Sequence, residues 1–136
     1  MKVTLASEKP PSTHSYTSRL RIDAVHVVLE LKARIDGVAR FRIESTVEPY
    51  LPFLADADAF DLVSNEIPSC WCVVLPPQAH DLSLVPRSWH EAPFENGFWP
   101  EFFDGNYQAI GLYRAIRDEI YRDCGVEPPR RPDWKW

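Results

Sequence analysis

Hydrophobic and polar residues alternate along two successive stretches of the chain. In residues 25–35 apolar side chains occupy every second position, with Val28 the exception, and a second alternating run covers residues 39–47. A period of two is typical of a strand with one buried face. Because Asp36-Gly37 lies between the two runs, the pattern predicts an antiparallel β-hairpin.

The length of the turn decides which side chains of this hairpin share a face. A two-residue loop would place the apolar residues of the two strands on opposite faces. A three-residue loop of residues 35–37, with its glycine in the left-handed conformation, aligns Ala33 with Ala39 and Glu30 with Arg42. We therefore predict the three-residue loop. The expected buried face consists of four apolar residues, Leu29, Leu31, Phe41 and Ile43.

Shorter β-strand signals follow in the middle of the chain. Residues 70–75 are strongly β-prone and residues 80–85 alternate weakly, so both are predicted as strands. Residues 60–63 favour a short strand, which a helical turn at residues 55–59 precedes. The proline-flanked residues 50–54 are predicted as a hydrophobic loop.

The last third of the chain changes to a helical period. Asp104-Gly105-Asn106 is the predicted start of a long helix, and Gly125 is the predicted end. Apolar residues recur between them at helical spacing. They are Ala109, Leu112, Tyr113, Ile116, Ile120 and Cys124. We expect Tyr113, Ile116 and Ile120 to cover the buried hairpin face, while the aromatic residues of 98–103 seal one end of the core.

Together these elements predict an α+β fold. A mostly antiparallel sheet, made of the N-terminal hairpin and two or three further strands, packs against the C-terminal amphipathic helix. A chain of 136 residues fits one domain, which we place at residues 19–125. Residues 1–18 are polar and predict a flexible or late-docking arm. Residues 126–136 predict a proline-rich tail.

The distribution of charge points to a binding surface. The net charge of −5 disfavours a nucleic-acid partner, and no Lys or Arg occurs between Ile43 and Pro86. The acidic residues of this stretch should project a negative field over one part of the surface. The partner-binding residues that we predict are Glu48, Asp56, Asp58, Asp61 and Glu66, together with Trp134 and Trp136 of the tail.

Cysteine usage and hydropathy indicate a reduced compartment. Three cysteines do not make an even disulfide framework, and no apolar run reaches the ~18 residues of a membrane span. The start of the chain lacks the apolar core of a secretory signal, so we expect a cytoplasmic protein without membrane contact. Cys70-Trp71-Cys72 lacks the second ligand pair of a zinc site. We therefore predict structural thiols, no metal and no cofactor.

Two histidines suggest an enzymatic alternative. His80-Asp81 and His90-Glu91 each place an imidazole beside a carboxylate in sequence, but no nucleophile stands in a recognisable context. We predict that the protein is not an enzyme. One alternative is a small hydrolase or transferase that uses His80 or His90. Another is a phage or regulatory scaffold protein that self-associates through the exposed edge of the first hairpin.

Three segments carry a family resemblance. Ile67-Pro68-Ser69-Cys70-Trp71, Pro86-Arg87-Ser88-Trp89 and the segment GFWPEFFDGN of residues 97–106 resemble the pattern IPxxW…PxxW…GFWExFFDGD of small uncharacterised bacterial proteins. The chain departs from it at Pro100, where the pattern has Glu, and in a longer insertion between Trp89 and Gly97. The resemblance implies an aromatic-rich turn that leads into the final helix.

Small acidic α+β proteins of this kind are similar to the immunity proteins of bacterial toxin systems. This likeness implies a cytoplasmic immunity protein, a non-catalytic inhibitor that occludes its toxin. Its acidic surface would suit a basic toxin domain.

Overall fold

The computed structural model describes residues 1–6, 17–75 and 81–130. This part of the chain has the predicted α+β fold, with antiparallel strands and a long C-terminal helix. The strands are β1 (Lys2–Leu5), β2 (Val25–Val27), β3 (Glu30–Arg34), β4 (Ala39–Glu44), β5 (Pro52–Asp56), β6 (Phe60–Ser64), β7 (Trp71–Val74) and β8 (Asp81–Pro86). The helices are α1 (Arg87–His90), α2 (Phe98–Phe103) and α3 (Tyr107–Asp123), and two 3₁₀ turns cover Thr17–Arg19 and Ala57–Ala59.

The strands form two antiparallel sheets joined by bent stretches of chain. One sheet has the order β2-β1-β6 and the other the order β5-β4-β3-β8-β7. The N–H of Val28 donates to the carbonyl of Met1, at 3.1 Å, whereas the N–H of Leu29 donates to that of Arg42, at 2.8 Å. The chain therefore passes from the small sheet into the large one at these two residues. A second crossing runs from β5 to β6 through the 3₁₀ turn at Ala57–Ala59.

The hairpin of β3 and β4 has the predicted register. Ala33 lies opposite Ala39, as the three-residue loop requires. Gly37 has a φ of 90° and donates its N–H to the carbonyl of Arg34, whose own N–H bonds to Val38 across the loop. A left-handed conformation is open to glycine at little cost. The three-residue loop is confirmed.

The helices cover the face of this hairpin that the sequence assigned to the polar side. The indole nitrogen of Trp99 donates to the carboxylate of Glu30 at 2.8 Å, and the hydroxyl of Tyr113 donates to Glu44 at 2.7 Å. On the opposite face, the ring of Phe41 lies 6.1 Å from an aromatic ring of β6. The predicted packing of the helix on the apolar face is therefore wrong, because the small sheet closes that face.

Helix α3 begins and ends as predicted. The side chain of Asn106 accepts a hydrogen bond from the N–H of Gln108, at 2.9 Å, and Gly125 follows the last turn with a φ of 69°. The buried side of α3 is rotated from the prediction: Arg117 is buried, while Ile116 is only half-buried. The aromatic cluster of residues 89–103 forms the core of this layer, where the rings of Trp89 and Phe98 stack at 4.9 Å.

Residues 1–6, the start of the predicted N-terminal arm, dock on the small sheet. β1 pairs with β2 on one edge and with β6 on the other, and Val3 is fully buried. An alternating pattern of only four residues is too short to predict such a strand. Residues 7–16 of the predicted arm lie outside the described residues.

Two further segments refine the sequence predictions. Residues 52–56, predicted as part of a hydrophobic loop and a helical turn, form strand β5. Pro52 is its first residue, and it tolerates that place because β5 is an edge strand. The predicted tail is held at Pro129, whose carbonyl accepts a hydrogen bond from the guanidinium of Arg117 in α3 at 3.3 Å.

Among the described helices, none is long and apolar enough to cross a membrane.

Candidate functional site

Three of the five predicted acidic residues lie together where β5 turns into β6. Asp56 is the last residue of β5, Asp58 lies in the 3₁₀ turn, and Asp61 is the second residue of β6. Asp58 and Asp61 are exposed, and Asp56 is half-buried. The turn that joins the two sheets thus gathers three carboxylates within six residues of chain.

A cleft of ≈420 Å³ lies between this turn and the loop of the β3–β4 hairpin. Its walls include Val38 and Arg40 on one side and Asp56 and Asp58 on the other. Val38 and the neighbouring Ile35 expose apolar side chains to solvent. We call the set Ile35, Val38, Arg40, Asp56, Asp58 and Asp61 the corner site.

Arginines of the hairpin neutralise part of this acidic surface. The guanidinium of Arg40 lies 3.1 Å from a carboxylate oxygen of Asp56, and that of Arg34 lies 3.0 Å from Asp36 in the hairpin loop. Ion pairs this exposed contribute ~0–1 kcal/mol each. Asp58 and Asp61 add two further carboxylates at this turn.

The negative charge of residues 43–86 is therefore balanced by more basic residues than the sequence predicts. Glu44 does not face solvent but lies buried, with a carboxylate oxygen 3.5 Å from the guanidinium of Arg117. In the register of β3 and β8, Asp81 lies opposite Arg34. The sequence reasoning missed these basic residues because they come from outside the stretch, Arg117 from α3 and Arg34 from the strand that pairs with β8.

The remaining predicted site residues do not join the corner site. Glu48 is exposed in the loop between β4 and β5, at the other end of β5 from Asp56. Glu66 is exposed five residues beyond Asp61, a distance of roughly 16 Å along extended chain. Trp134 and Trp136 lie outside the described residues.

A buried cluster around Glu44 was missed from the sequence. Its carboxylate accepts hydrogen bonds from the hydroxyls of Tyr113, at 2.7 Å, and Tyr121, at 3.0 Å. Burial and the neighbouring carboxylate hold the pKa of Tyr113 well above its ordinary value, so this hydroxyl stays a donor. One signal was available, since Arg117 falls four residues after Tyr113 and four before Tyr121 on the same helical face.

A second buried cluster lies around Glu30. Its carboxylate accepts hydrogen bonds from the Nε of Arg42, at 3.0 Å, and from the indole of Trp99. The guanidinium of Arg42 lies 3.9 Å from the centroid of the Trp99 ring, within the range of a cation–π contact. Both clusters fasten the helices to the sheet. Glu44 and Tyr121 also line a cleft of ≈190 Å³ together with His26.

Of the two histidines of the enzymatic alternative, His90 lies within the described residues. His90 lines a cleft of ≈630 Å³ beside β7, where Cys72 and Glu91 also lie. The carboxylate of Glu91 is 3.4 Å from the guanidinium of Arg87. His80 lies outside the described residues. Because His90 lines this cleft, it remains a candidate residue only for the alternative hydrolase or transferase function.

The cysteines are free thiols. Burial, with the nearby carboxylates of Glu119 and Asp123, raises the pKa of Cys70 to about 11, so this thiol stays protonated at neutral pH. In the described ranges, no group of three or more His, Cys, Asp or Glu side chains is arranged to hold a metal ion.

Comparison of the chain with models of protein families, with curated proteins and with solved structures found no match. The resemblance to the bacterial IPxxW pattern therefore stays a prediction. Function has to be argued from the corner site itself.

Proposed function

We propose that this chain is a cytoplasmic, non-catalytic binding protein of the toxin-immunity type, which inhibits a basic toxin domain through the corner site. One observation carries the proposal: Asp56, Asp58 and the exposed apolar side chain of Val38 line a cleft at the junction of the two sheets. The exposed Asp61 follows Asp58 by three positions in the chain, and the exposed Ile35 precedes Val38 by three. A protein inhibitor needs such a surface and no chemistry of its own.

The composition of the corner site fits a protein partner. Protein interfaces combine an apolar centre with a polar rim. In the corner site, the exposed apolar side chains of Val38 and Ile35 accompany the acidic residues. Charges at a rim act mainly on the rate of association, since they steer a partner of opposite charge before contact. The corner site lies where both sheets fix the backbone, so little ordering entropy is lost on binding.

The test starts from the partner that co-purifies with the tagged chain in its native host. Association of the two purified proteins is then followed by stopped-flow fluorescence at several salt concentrations. The double variant Asp58→Lys/Asp61→Lys should slow association about tenfold at low salt and weaken its salt dependence, because steering contributes factors of 10–10³. Glu48→Lys/Glu66→Lys changes the net charge equally but leaves the corner intact, so we expect a much smaller effect.

The same pair of proteins tests inhibition. Co-expression of the chain should abolish the growth defect that the partner causes, at a ratio of one copy per toxin. Equal association rates for the corner variant and the wild type would refute the corner site as the contact surface. Protection at far below one copy per toxin, lost in His90→Ala, would instead favour the hydrolase or transferase alternative.

A further inference from the structure

Strand β7 presents an open edge. It is the last strand of the five-stranded sheet, so β8 pairs with one of its edges, and in the described part of the chain no strand pairs with the other. A cleft of ≈630 Å³ lies beside it, lined by residues 72–75 and, from α1 and the residue after it, by Arg87, His90 and Glu91, of which Arg87 and Glu91 pair with each other at 3.4 Å. In the hairpin of β3 and β4, by contrast, both outer edges are occupied, since β3 also pairs with β8 and β4 with β5.

The register shows which backbone groups point to the open edge. The N–H of Arg87 donates to the carbonyl of Cys70 at 2.9 Å, which makes these two residues a hydrogen-bonded pair. In an antiparallel ladder such pairs alternate with non-bonded ones. Pro86, which lacks an N–H, lies opposite Trp71 in a non-bonded pair. By the same alternation, the N–H and carbonyl of Val73 face away from β8.

β7 lacks the devices that protect other outer strands. Edge strands usually carry charges, proline or bulges that prevent pairing with another molecule. β6 has Asp61 and a register shift against β1, and β5 begins with Pro52. The sequence of residues 71–75 is Trp-Cys-Val-Val-Leu, without charge or proline, and its pairing with β8 is regular.

Exposed aliphatic side chains accompany the open edge. Val73 is 64% exposed and Leu75 is 68% exposed, and Leu82 of the neighbouring strand is 37% exposed. Val73 pairs with Leu84, so by strand alternation Leu82 lies on the same face. An uncharged edge beside an apolar patch favours another uncharged, extended strand as its occupant.

We propose that β7 pairs with β7 of a second copy of this chain, antiparallel across a two-fold axis centred on Val73. An antiparallel edge is complementary to itself, which a two-fold interface requires. Each Val73 N–H then donates to the Val73 carbonyl of the other copy. Leu75 lies opposite Trp71, whose N–H already donates to the carbonyl of Pro68 at 3.1 Å and does not join the ladder. The net charge of −5 does not oppose this contact locally, because residues 71–75 carry none of it.

Sedimentation equilibrium of the full chain over a range of concentrations tests the dimer. The wild type should approach twice its mass of 15.7 kDa, with the dimer fraction rising with concentration. Val73→Lys brings two positive charges together at the axis and should raise the dimer dissociation constant at least tenfold. Val63→Lys is the matched control, since it places the same residue on β6 at a position that is 49% exposed.

A further variant separates pairing from folding. Val73→Thr keeps a β-branched side chain and the backbone bonds, so it should remain dimeric, and circular dichroism should show Val73→Lys folded like the wild type. A wild type that stays monomeric at the highest concentration measured would overturn the proposal. A dimer that survives Val73→Lys, or that Val63→Lys weakens equally, would do the same.

Discussion

Glu44 is a charged side chain in the interior of the protein. A buried carboxylate costs several kcal/mol unless it is paired and hydrogen-bonded. Here Tyr113, Arg117 and Tyr121 supply the donors, all from one face of α3. Because they come from successive turns of one helix, they fix both the rotation and the height of α3 against β4.

Removal of one of these donors should therefore be costly. Tyr113→Phe deletes only the hydroxyl at 2.7 Å from Glu44 and leaves the carboxylate buried. We expect the free energy of unfolding to fall by about 1.5–3 kcal/mol, the range for a hydrogen bond to a charged group. Urea denaturation measures it. Tyr107→Phe is the control, because Tyr107 is 80% exposed and should change stability little. Equal small effects for both would contradict the structural role of the Glu44 cluster.

His26 gives a prediction about pH. It is buried, with its Nε2 atom 3.2 Å from the carbonyl of Arg21, and burial lowers its pKa below the ordinary value of 6.5. The unfolded chain therefore binds a proton more readily than the folded one. Stability is fully present above about pH 6.5 and is lost as the pH falls through that value.

Urea midpoints at pH 7.5, 6.5 and 5.5 measure this loss. His26→Gln removes the titrating group, so its midpoint should fall less over the same interval than that of the wild type, whatever its absolute stability. His90→Gln is the control, because the side chain of His90 is exposed on α1; it should follow the wild type. A His26→Gln slope identical to that of the wild type would show that His26 does not couple protonation to folding.

At the scale of the element, local sequence patterns are sufficient to predict the register of the hairpin and the ends of α3. The hairpin register follows from two alternating runs and the glycine between them, because a slip of one residue would move every apolar side chain to the wrong face. The ends of α3 follow from Asn106 and Gly125, whose roles depend only on neighbouring backbone groups. These features could be predicted because their causes lie within a few residues.

The burial of the polar hairpin face could not be predicted in this way. Glu30 and Glu44 are buried because Trp99 and Tyr113, about seventy residues further on, fold over them. Alternation of polar and apolar residues shows that the two faces of a strand differ. It does not show whether other elements cover both faces. The corner site is an intermediate case. Its aspartates lie within six residues of chain, whereas Arg40, which pairs with Asp56, comes from a neighbouring strand.

At the scale of the whole molecule, the two proposed surfaces are compatible. The corner site lies at the β5 end of the five-stranded sheet, and β7 is the strand at its other end. A dimer through β7 would leave both corner sites open, so each copy could hold one partner. Two linked sites would also strengthen binding to a partner that is itself dimeric.

The cooperativity of the fold rests on β1, which joins β2 to β6. Val3 on this strand is fully buried, so Val3→Ala should lower the free energy of unfolding by about 2 kcal/mol through lost burial and a small cavity. Val63→Ala, a half-exposed site on neighbouring β6, should cost under about 0.5 kcal/mol. Unfolding in urea is followed by circular dichroism and by the fluorescence of the five tryptophans, among them Trp89 and Trp99 in the helical layer. If the two sheets and the helices form one unit, both signals shift together in Val3→Ala. A fluorescence transition that stays at the wild-type midpoint would show instead that β1 docks on an already folded core.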